Sequence, residues 1–152
     1  MKYVQNKNLR AFTLVELLVV MSILGVLVTV ALGAFRSSQA RGRDAQRKSD
    51  LKQISSALEL YYSDYGEYPD TLPWGVEFTD GKTVYFKAVP VDPVDNFDYF
   101  YRLPDSPVNQ QFQLFAALEN TEDPDLIVTS YSCGGGVTCN FSITSPNTTP
   151  SE

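Results

Sequence analysis

The stretch AFTLVELLVVMSILGVLVTVALGAF, residues 11–35, decides the fold of this chain. Beyond Glu16 it has no charged residue, and residues 17–35 match the roughly 20 apolar residues that cross the hydrocarbon core of a bilayer. A carboxylate at the edge of such a segment is costly in lipid, so Glu16 is a candidate functional residue. Because the apolar run is long for a secretory signal peptide, we expect it to be retained, either in a bilayer or among like helices.

The charges of the chain are unevenly distributed around a net charge of −6. Residues 1–52 carry nine of the twelve basic side chains, whereas residues 66–152 carry three basic and thirteen acidic ones. An acidic C-terminal part has the wrong sign for binding nucleic acid. The sequence has no histidine and no recognisable nucleophile motif, so we predict a structural protein without enzyme activity and without a cofactor.

Helical periodicity continues beyond the apolar segment. Apolar and aromatic residues recur at spacings of three and four, at Leu51, Ile54, Leu58, Tyr61 and Tyr65. The sequence has no proline between Phe12 and Tyr68, and Gly66 can take the left-handed conformation that ends helices. We therefore predict one helix from Phe12 to Tyr65, with a membrane-spanning half at residues 12–35 and an amphipathic half at residues 36–65.

The C-terminal part, residues 66–141, shows short alternating patterns that are typical of strands. Strands are predicted at residues 84–89, 97–103, 111–118 and 126–131. A sheet of three or four antiparallel strands has one face to cover, and the amphipathic half of the helix is the element available to cover it. The predicted fold class is α+β, a long N-terminal helix whose distal half packs on a small antiparallel headpiece. Residues 142–152, rich in Ser, Thr and Pro, are predicted to form a flexible tail.

The headpiece also holds two cysteines and several acidic loops. A glycine-rich loop separates Cys133 from Cys139, which indicates a disulfide in an oxidising compartment or, as the alternative, two free thiols. Calcium takes several oxygen ligands, and the loops provide six candidates: Asp92, Asp95, Asp98, Glu122, Asp123 and Asp125. Their spacing matches no EF-hand loop, and loop acidity usually serves solvation, so we predict no metal site.

The residues around Glu16 match a known pattern. Ala11 followed by Phe12-Thr13-Leu14-Val15-Glu16-Leu17-Leu18 and a long apolar stretch resembles the class III signal of type IV pilins and type II secretion pseudopilins. The resemblance covers residues 1–69, where Tyr61-Tyr62-Ser63-Asp64-Tyr65-Gly66-Glu67-Tyr68-Pro69 is similar to the helix-end pattern of this family. Beyond residue 69 it is weaker and rests on Val89-Pro90-Val91-Asp92-Pro93 followed by Tyr99-Phe100-Tyr101.

This resemblance implies a processing pathway. Residues 1–11 would be a leader that prepilin peptidase removes by cutting between Ala11 and Phe12, and Phe12 would become the N-methylated N-terminus. Glu16 would pair with the terminal amine of a neighbouring subunit during assembly. The chain departs from the family pattern at two positions, because most members have glycine in place of Ala11 and many have proline in place of Gly33.

The same resemblance implies a structural subunit of a type IV pilus-like surface filament. The implied partners are further copies of the chain in a helical filament, the prepilin peptidase, an inner-membrane assembly platform with its ATPase, other minor pilins, and membrane lipid before assembly. Two alternatives stay open. One is a type II secretion pseudopilin acting in protein export, and the other is a membrane-anchored binding module or enzyme.

The orientation in the membrane is the point on which the predictions conflict. Residues 36–52 carry six basic side chains and residues 1–10 carry three, so the positive-inside rule places the headpiece in the cytoplasm. The family resemblance and the expected disulfide place it outside. We expect a single-pass protein with a cytoplasmic N-terminus, whose headpiece faces outside and which then enters an extracellular or periplasmic filament.

Overall fold

A computed structural model of the chain describes residues 12–105 and 107–150. The chain divides into two compact units, Met1–Ser38 and Gln39–Glu152. One helix, α1 (Leu14–Tyr65, 52 residues), contributes to both units, which confirms the predicted long helix. It ends at Gly66, which has a φ of 72° and donates its N–H to the carbonyl oxygen of Tyr62 at 2.7 Å.

The first unit contains the proximal part of α1. The helix is continuous through Gly25 and Gly33. Between residues 17 and 35 two polar side chains, Ser22 and Thr29, interrupt the apolar surface of the helix, and both are satisfied within the helix. The Ser22 hydroxyl donates to the carbonyl oxygen of Val19, and the Thr29 hydroxyl donates to that of Val26, each at 2.7 Å. The polar atoms therefore do not prevent this surface from being placed in an apolar environment.

The second unit is the headpiece, which contains five short strands. They are β1 (Phe78–Thr79), β2 (Val84–Phe86), β3 (Phe100–Arg102), β4 (Gln113–Ala116) and β5 (Phe141–Thr144). β1 and β2 form a two-stranded sheet, and the other three form a sheet in the order β3-β4-β5, with every pair antiparallel. The predicted α+β class is confirmed, although the strands form two sheets.

The core of the headpiece lies between α1 and β4. Leu51, Ile54 and Leu58 are at most 1% exposed, as the helical periodicity predicted. They belong to one apolar cluster with Phe112 and Leu114, on one face of the three-stranded sheet. Burial of such side chains stabilises the fold by about 1.5–3 kcal/mol each.

The opposite face of β4 is also covered, although the sequence indicated one buried face. Phe115 and Ala117 form a second buried cluster with Cys133 and Cys139. The segment that covers this face is residues 126–140, and the predicted strand at 126–131 is wrong. Residues 126–131 make only irregular backbone hydrogen bonds to residues 139 and 140. The N–H of Ile127 donates to the carbonyl oxygen of residue 140, and the N–H of residue 139 donates to the carbonyl oxygen of Tyr131.

The predicted flexible tail is also wrong in its first part, because residues 142–144 belong to β5. Ser145 and Thr148 are buried, and the Ser145 N–H donates to the carbonyl oxygen of Phe112 at 3.0 Å. The side chain of Asn147 donates to the carbonyl oxygen of Gln110 at 3.0 Å. The Ser, Thr and Asn side chains of this segment thus satisfy neighbouring backbone groups rather than facing water only.

Candidate functional site

The candidate assembly residue Glu16 lies in the first turn of α1 and takes part in a capping box. The backbone N–H and the hydroxyl of Thr13 both donate to Oε2 of Glu16 at 2.9 Å, and the Glu16 N–H donates to the Thr13 hydroxyl at 3.2 Å. This reciprocal arrangement satisfies donors that a helix start otherwise leaves unpaired. Among the described residues, Oε1 of Glu16 accepts no hydrogen bond, so one carboxylate oxygen stays available to a partner.

The residues before the helix bear on the expected processing site. Phe12 precedes the cap and is 87% exposed. Ala11 and the rest of the predicted leader lie outside the described residues. Within the described residues, no tertiary contact hides the phenylalanine that is expected to become the N-terminus.

The apolar surface that follows Glu16 is unpaired. Every side chain described between residues 12 and 38 is exposed. The large apolar ones are Phe12, Leu14, Val15, Leu17, Leu18, Val19, Val20, Met21, Ile23, Leu24, Val26, Leu27, Val28, Leu32 and Phe35. The stretch is long and apolar enough to cross a membrane. A helix that is apolar all round needs a lipid or protein environment, because water cannot stabilise it.

The helix also carries a buried ionic cluster in the headpiece, centred on Arg47, whose side chain is 0% exposed. Arg47 makes two hydrogen bonds to Asp92, from Nε to Oδ2 at 2.7 Å and from Nη2 to Oδ1 at 2.9 Å. Its Nη1 also donates to Asp44 and Glu119, both at 2.8 Å. Arg43 makes a second forked pair with Glu119. Two arginines of α1 are therefore bound by three carboxylates, two of which belong to headpiece loops.

The carboxylates of this cluster also bind backbone N–H groups. Asp44 accepts the N–H of Glu119 at 2.9 Å and that of Asn120 at 2.8 Å. Asp92 accepts the N–H of Val94 at 2.9 Å. The cluster thereby fixes the positions of two loops, and among the described residues no buried side-chain nitrogen or oxygen lacks a partner.

The charges of the cluster shift the titration of its members. Hydrogen bonds from Arg43, and then from Arg47, hold the pKa of Glu119 at about 2. Burial opposes the charge of Arg47, but its carboxylate partners outweigh this and raise its pKa above the ordinary value. Burial raises the pKa of Asp50, whose carboxylate accepts the Tyr99 hydroxyl at 2.9 Å. Arg47 and Glu119 thus stabilise each other in their charged forms.

The six candidate calcium ligands are not brought together. Asp92 is bound by Arg47, while Asp123 and Asp125 accept hydrogen bonds from Lys48 Nζ at 2.6 and 2.7 Å. The remaining three, Asp95, Asp98 and Glu122, are exposed. The described residues contain no group of three or more side chains placed to hold a metal ion. An ammonium group of the chain itself thus occupies the place between two of the expected ligands.

Cys133 and Cys139 form a disulfide that closes a tight loop. Both are buried against Phe115, and the carbonyl oxygen of Cys133 accepts the N–H of Asp98 at 2.8 Å. Gly134 has a φ of 76°, and a Cβ atom there would lie 2.7 Å from the carbonyl oxygen of Asn96. Glycine is therefore required at this position on two grounds.

Two of these features carry signals that the sequence interpretation overlooked. The capping box is visible as Thr13 followed three residues later by Glu16. Arg47 lies four residues before Leu51, so it extends the buried stripe of the helix, and an arginine in that position calls for buried acidic partners. Those partners, Asp92 and Glu119, are 45 and 72 residues away, and no local pattern predicts them.

Known proteins resemble this chain over most of its length. Residues 6–32 match the family model of the prokaryotic N-terminal methylation motif. The type II secretion system core protein G of Pseudomonas aeruginosa is 32% identical over 112 residues, which is 66% of this chain and 78% of that protein. The type IV major pilin protein PilA of Myxococcus xanthus is 35% identical over 65 residues, 43% of this chain and 30% of PilA. The type IV major pilin protein PilE1 of Neisseria gonorrhoeae is 34% identical over 88 residues, 57% of this chain and 41% of PilE1. No solved structure matches the chain significantly.

Proposed function

The chain belongs to the family of type IV pilins and type II secretion pseudopilins, and on this premise we propose that it is a structural subunit of a type IV pilus-like surface filament. The observation that carries this proposal is the unpaired apolar surface of residues 12–35. Such a surface fits lipid before assembly and the interior of a bundle of identical helices afterwards. The subunit has a mechanical role in this proposal, with no catalysis.

Maturation follows the family pattern in this proposal. Prepilin peptidase cuts between Ala11 and Phe12 and methylates the new N-terminus at Phe12. An inner-membrane platform and its ATPase then move the subunit from lipid into a filament that also contains minor pilins. The headpiece faces outside, which is supported by the Cys133–Cys139 disulfide, because disulfides persist in oxidising compartments.

Glu16 is the proposed contact between neighbouring subunits in the filament. Its Oε2 serves the cap at Thr13, whereas its Oε1 is open to a cation from another subunit. The amine created by cleavage before Phe12 is a cation of suitable charge at a comparable depth. A carboxylate moved into an apolar bundle is costly unless it is paired, so this pairing fixes the register of the subunits.

Three variants separate the pairing role of Glu16 from its capping role. Glu16→Gln keeps a cap acceptor and loses the charge, Thr13→Ala loses the cap and keeps the charge, and Glu16→Ala loses both. We expect Glu16→Gln and Glu16→Ala to insert into the membrane normally and to lower filament yield sharply, while Thr13→Ala costs the helix only about 1 kcal/mol. The measurement is electron microscopy of sheared filaments, with mass spectrometry for a methylated N-terminus at Phe12. A normal filament yield from Glu16→Gln would refute the pairing.

A pseudopilin acting in protein export is the second candidate function. It is favoured by coverage, since the chain spans 78% of core protein G and only 30% of PilA. Deletion of the gene separates the two. Loss of surface filaments with intact protein export supports the pilus-like role, and loss of export without any surface filament supports the pseudopilus.

A further inference from the structure

The headpiece contains a groove with aromatic walls that none of the proposed contacts uses. It has a volume of about 210 Å³ and is lined by Trp74, Val91, Asp92, Asp98 and Tyr99. The rings of Trp74 and Tyr99 lie 6.1 Å apart between centroids at an angle of 59°. We call this the Trp74 groove. A second depression of about 310 Å³, next to Asp70, shares the same two rings as a wall.

The walls of the Trp74 groove are held in place. Trp74 forms a parallel bridge with Val89, and the N–H of the next residue, Gly75, donates to the carbonyl oxygen of Val89 at 2.8 Å. Tyr99 is buried, and its hydroxyl donates to Asp50. The aromatic faces are therefore set before any ligand arrives, which lowers the entropy that binding costs.

The electrostatics of the groove favour a positive occupant. The carboxylate of Asp98 is exposed, and no described residue donates to it or forms an ion pair with it. Behind the wall, Arg47 binds the carboxylate of Asp92, whereas the carboxylate of Asp50 accepts the Tyr99 hydroxyl and forms no ion pair among the described residues. Burial and, to a smaller degree, the charge of Asp92 raise the pKa of Asp50, as expected where negative charge is in excess.

We propose that the Trp74 groove binds the cationic side chain of an arginine from residues 36–43 of a second copy of the chain. The cation lies over the indole face of Trp74, the aromatic ring that attracts cations most strongly, and pairs with the carboxylate of Asp98. This inference rests on the proposed function, because a filament brings copies together and raises the effective concentration of one copy's side chains at another's groove.

Charge complementarity supports a second copy as the occupant. The headpiece is acidic, whereas residues 36–43 hold three arginines. Two of these, Arg36 and Arg41, are exposed and form no ion pair among the described residues. The third, Arg43, is bound by Glu119 within its own chain. The chain thus has a basic segment with open charges and an aromatic groove with an open carboxylate.

The single tryptophan of the chain allows a direct test, because its fluorescence reports on Trp74 alone. The full chain in neutral detergent is titrated with a peptide copying residues 36–43 and with a control peptide whose arginines are replaced by glutamine. We expect a saturable fluorescence change with the arginine peptide only. In Asp98→Asn the binding should weaken roughly two- to fivefold, the range for an exposed ion pair, while Asp95→Asn, an exposed carboxylate outside the groove, should bind normally.

Several outcomes would overturn the inference. These are no fluorescence change with the arginine peptide, an equal change with the glutamine peptide, equal binding by Asp98→Asn, or saturation by a neutral monosaccharide instead of the peptide. Urea unfolding midpoints of both variants must match the parent chain, and Asp98→Gln serves as a second variant if Asp98→Asn fails to fold.

Filament assembly separates this inference from the proposed function. Normal filaments without peptide binding would refute the groove and leave the filament role intact. If the chain binds the peptide but forms no filament in its own cells, the filament role is refuted. The second copy is then refuted as the occupant of the groove as well. Peptide binding, together with a filament yield that falls in Asp98→Lys and not in Asp95→Lys, supports both.

Discussion

Removal of the Arg47 side chain should destabilise the headpiece more than any other single charge deletion in α1. Its guanidinium is fully buried and holds Asp92 through two hydrogen bonds, and it also binds Asp44 and Glu119. In Arg47→Ala the Asp92 side chain, 0% exposed, loses the one cation that pairs with it among the described residues. Breaking a buried ion pair by removing one partner costs about 3–5 kcal/mol, a large share of a domain stability of about 5–15 kcal/mol.

Two features of the cluster set where in that range the loss should fall. Asp44 keeps its bonds to two backbone N–H groups, and Asp92 keeps the N–H of Val94, so neither carboxylate is left without any donor. We therefore expect about 3 kcal/mol for Arg47→Ala, at the lower end of the range. The double variant Arg47→Met with Asp92→Asn removes both charges of the Arg47–Asp92 pair. It should lose less free energy of unfolding than Arg47→Ala alone, although it alters more atoms.

The assay is urea unfolding of the full chain in neutral detergent at pH 7, followed by the fluorescence of Trp74. Arg41→Ala is the matched control, because Arg41 lies on the same helix, is exposed and forms no ion pair among the described residues. It should change the free energy of unfolding by at most about 0.5 kcal/mol. A loss below about 1 kcal/mol for Arg47→Ala would refute the reasoning, since it would mean that the three carboxylates are hydrated in solution.

Two further predictions concern acid and calcium. The pKa of Glu119 is about 2 in the folded chain, against an ordinary value of 4.5 for an unpaired glutamate. The ionised Glu119 side chain therefore contributes its full stabilisation of the fold above pH 4.5, and this contribution is lost as the pH falls towards 2. Burial raises the pKa of Asp50, so protonation of Asp50 stabilises the fold as the pH falls and offsets part of this loss. Urea unfolding midpoints that stay level or rise between pH 5 and pH 3 would contradict the prediction. Lys48→Ala should lower the free energy of unfolding by about 1 kcal/mol and Lys52→Ala by less than about 0.5 kcal/mol, because only Lys48 binds the 123–125 loop. The unfolding midpoint of the parent chain should be the same in calcium and in EDTA, and a clear rise with calcium would show that Lys48 does not replace a bound ion.

The long helix and the main core could be predicted because their signals are local. Leu51, Ile54 and Leu58 follow the helical period, and the period alone identifies their buried face. The strand at residues 126–131 was predicted wrongly for the opposite reason. The segment is rich in apolar residues, but of these Ile127 and Tyr131 pack on the second face of β4 from an irregular segment next to the Cys133–Cys139 disulfide. Leu126 packs on the main core instead, and Val128 is exposed. Composition suggested a flexible tail, whereas Phe141 and the residues after it complete the sheet.

The candidate site was predictable only in part. The cost of a carboxylate beside an apolar segment identified Glu16 without any knowledge of its contacts. The ionic cluster was missed because Asp44 and Arg47 look like an ordinary surface pair at helical spacing. Their true environment depends on Asp92 and Glu119, which reach the helix only through the tertiary fold. Long-range polar partners of this kind leave no periodic signal.

The charges of this chain fall into two groups with different physical consequences. Arg47, Asp44 and Asp92 are paired and buried within one subunit, so salt screens their interactions little. Glu16 and Asp98 each have a carboxylate oxygen open to solvent and to other copies of the chain. In the proposed filament these open charges mediate contacts between subunits. The folding of the headpiece and the association of subunits then respond differently to ionic strength, because salt weakens exposed ion pairs much more than buried ones.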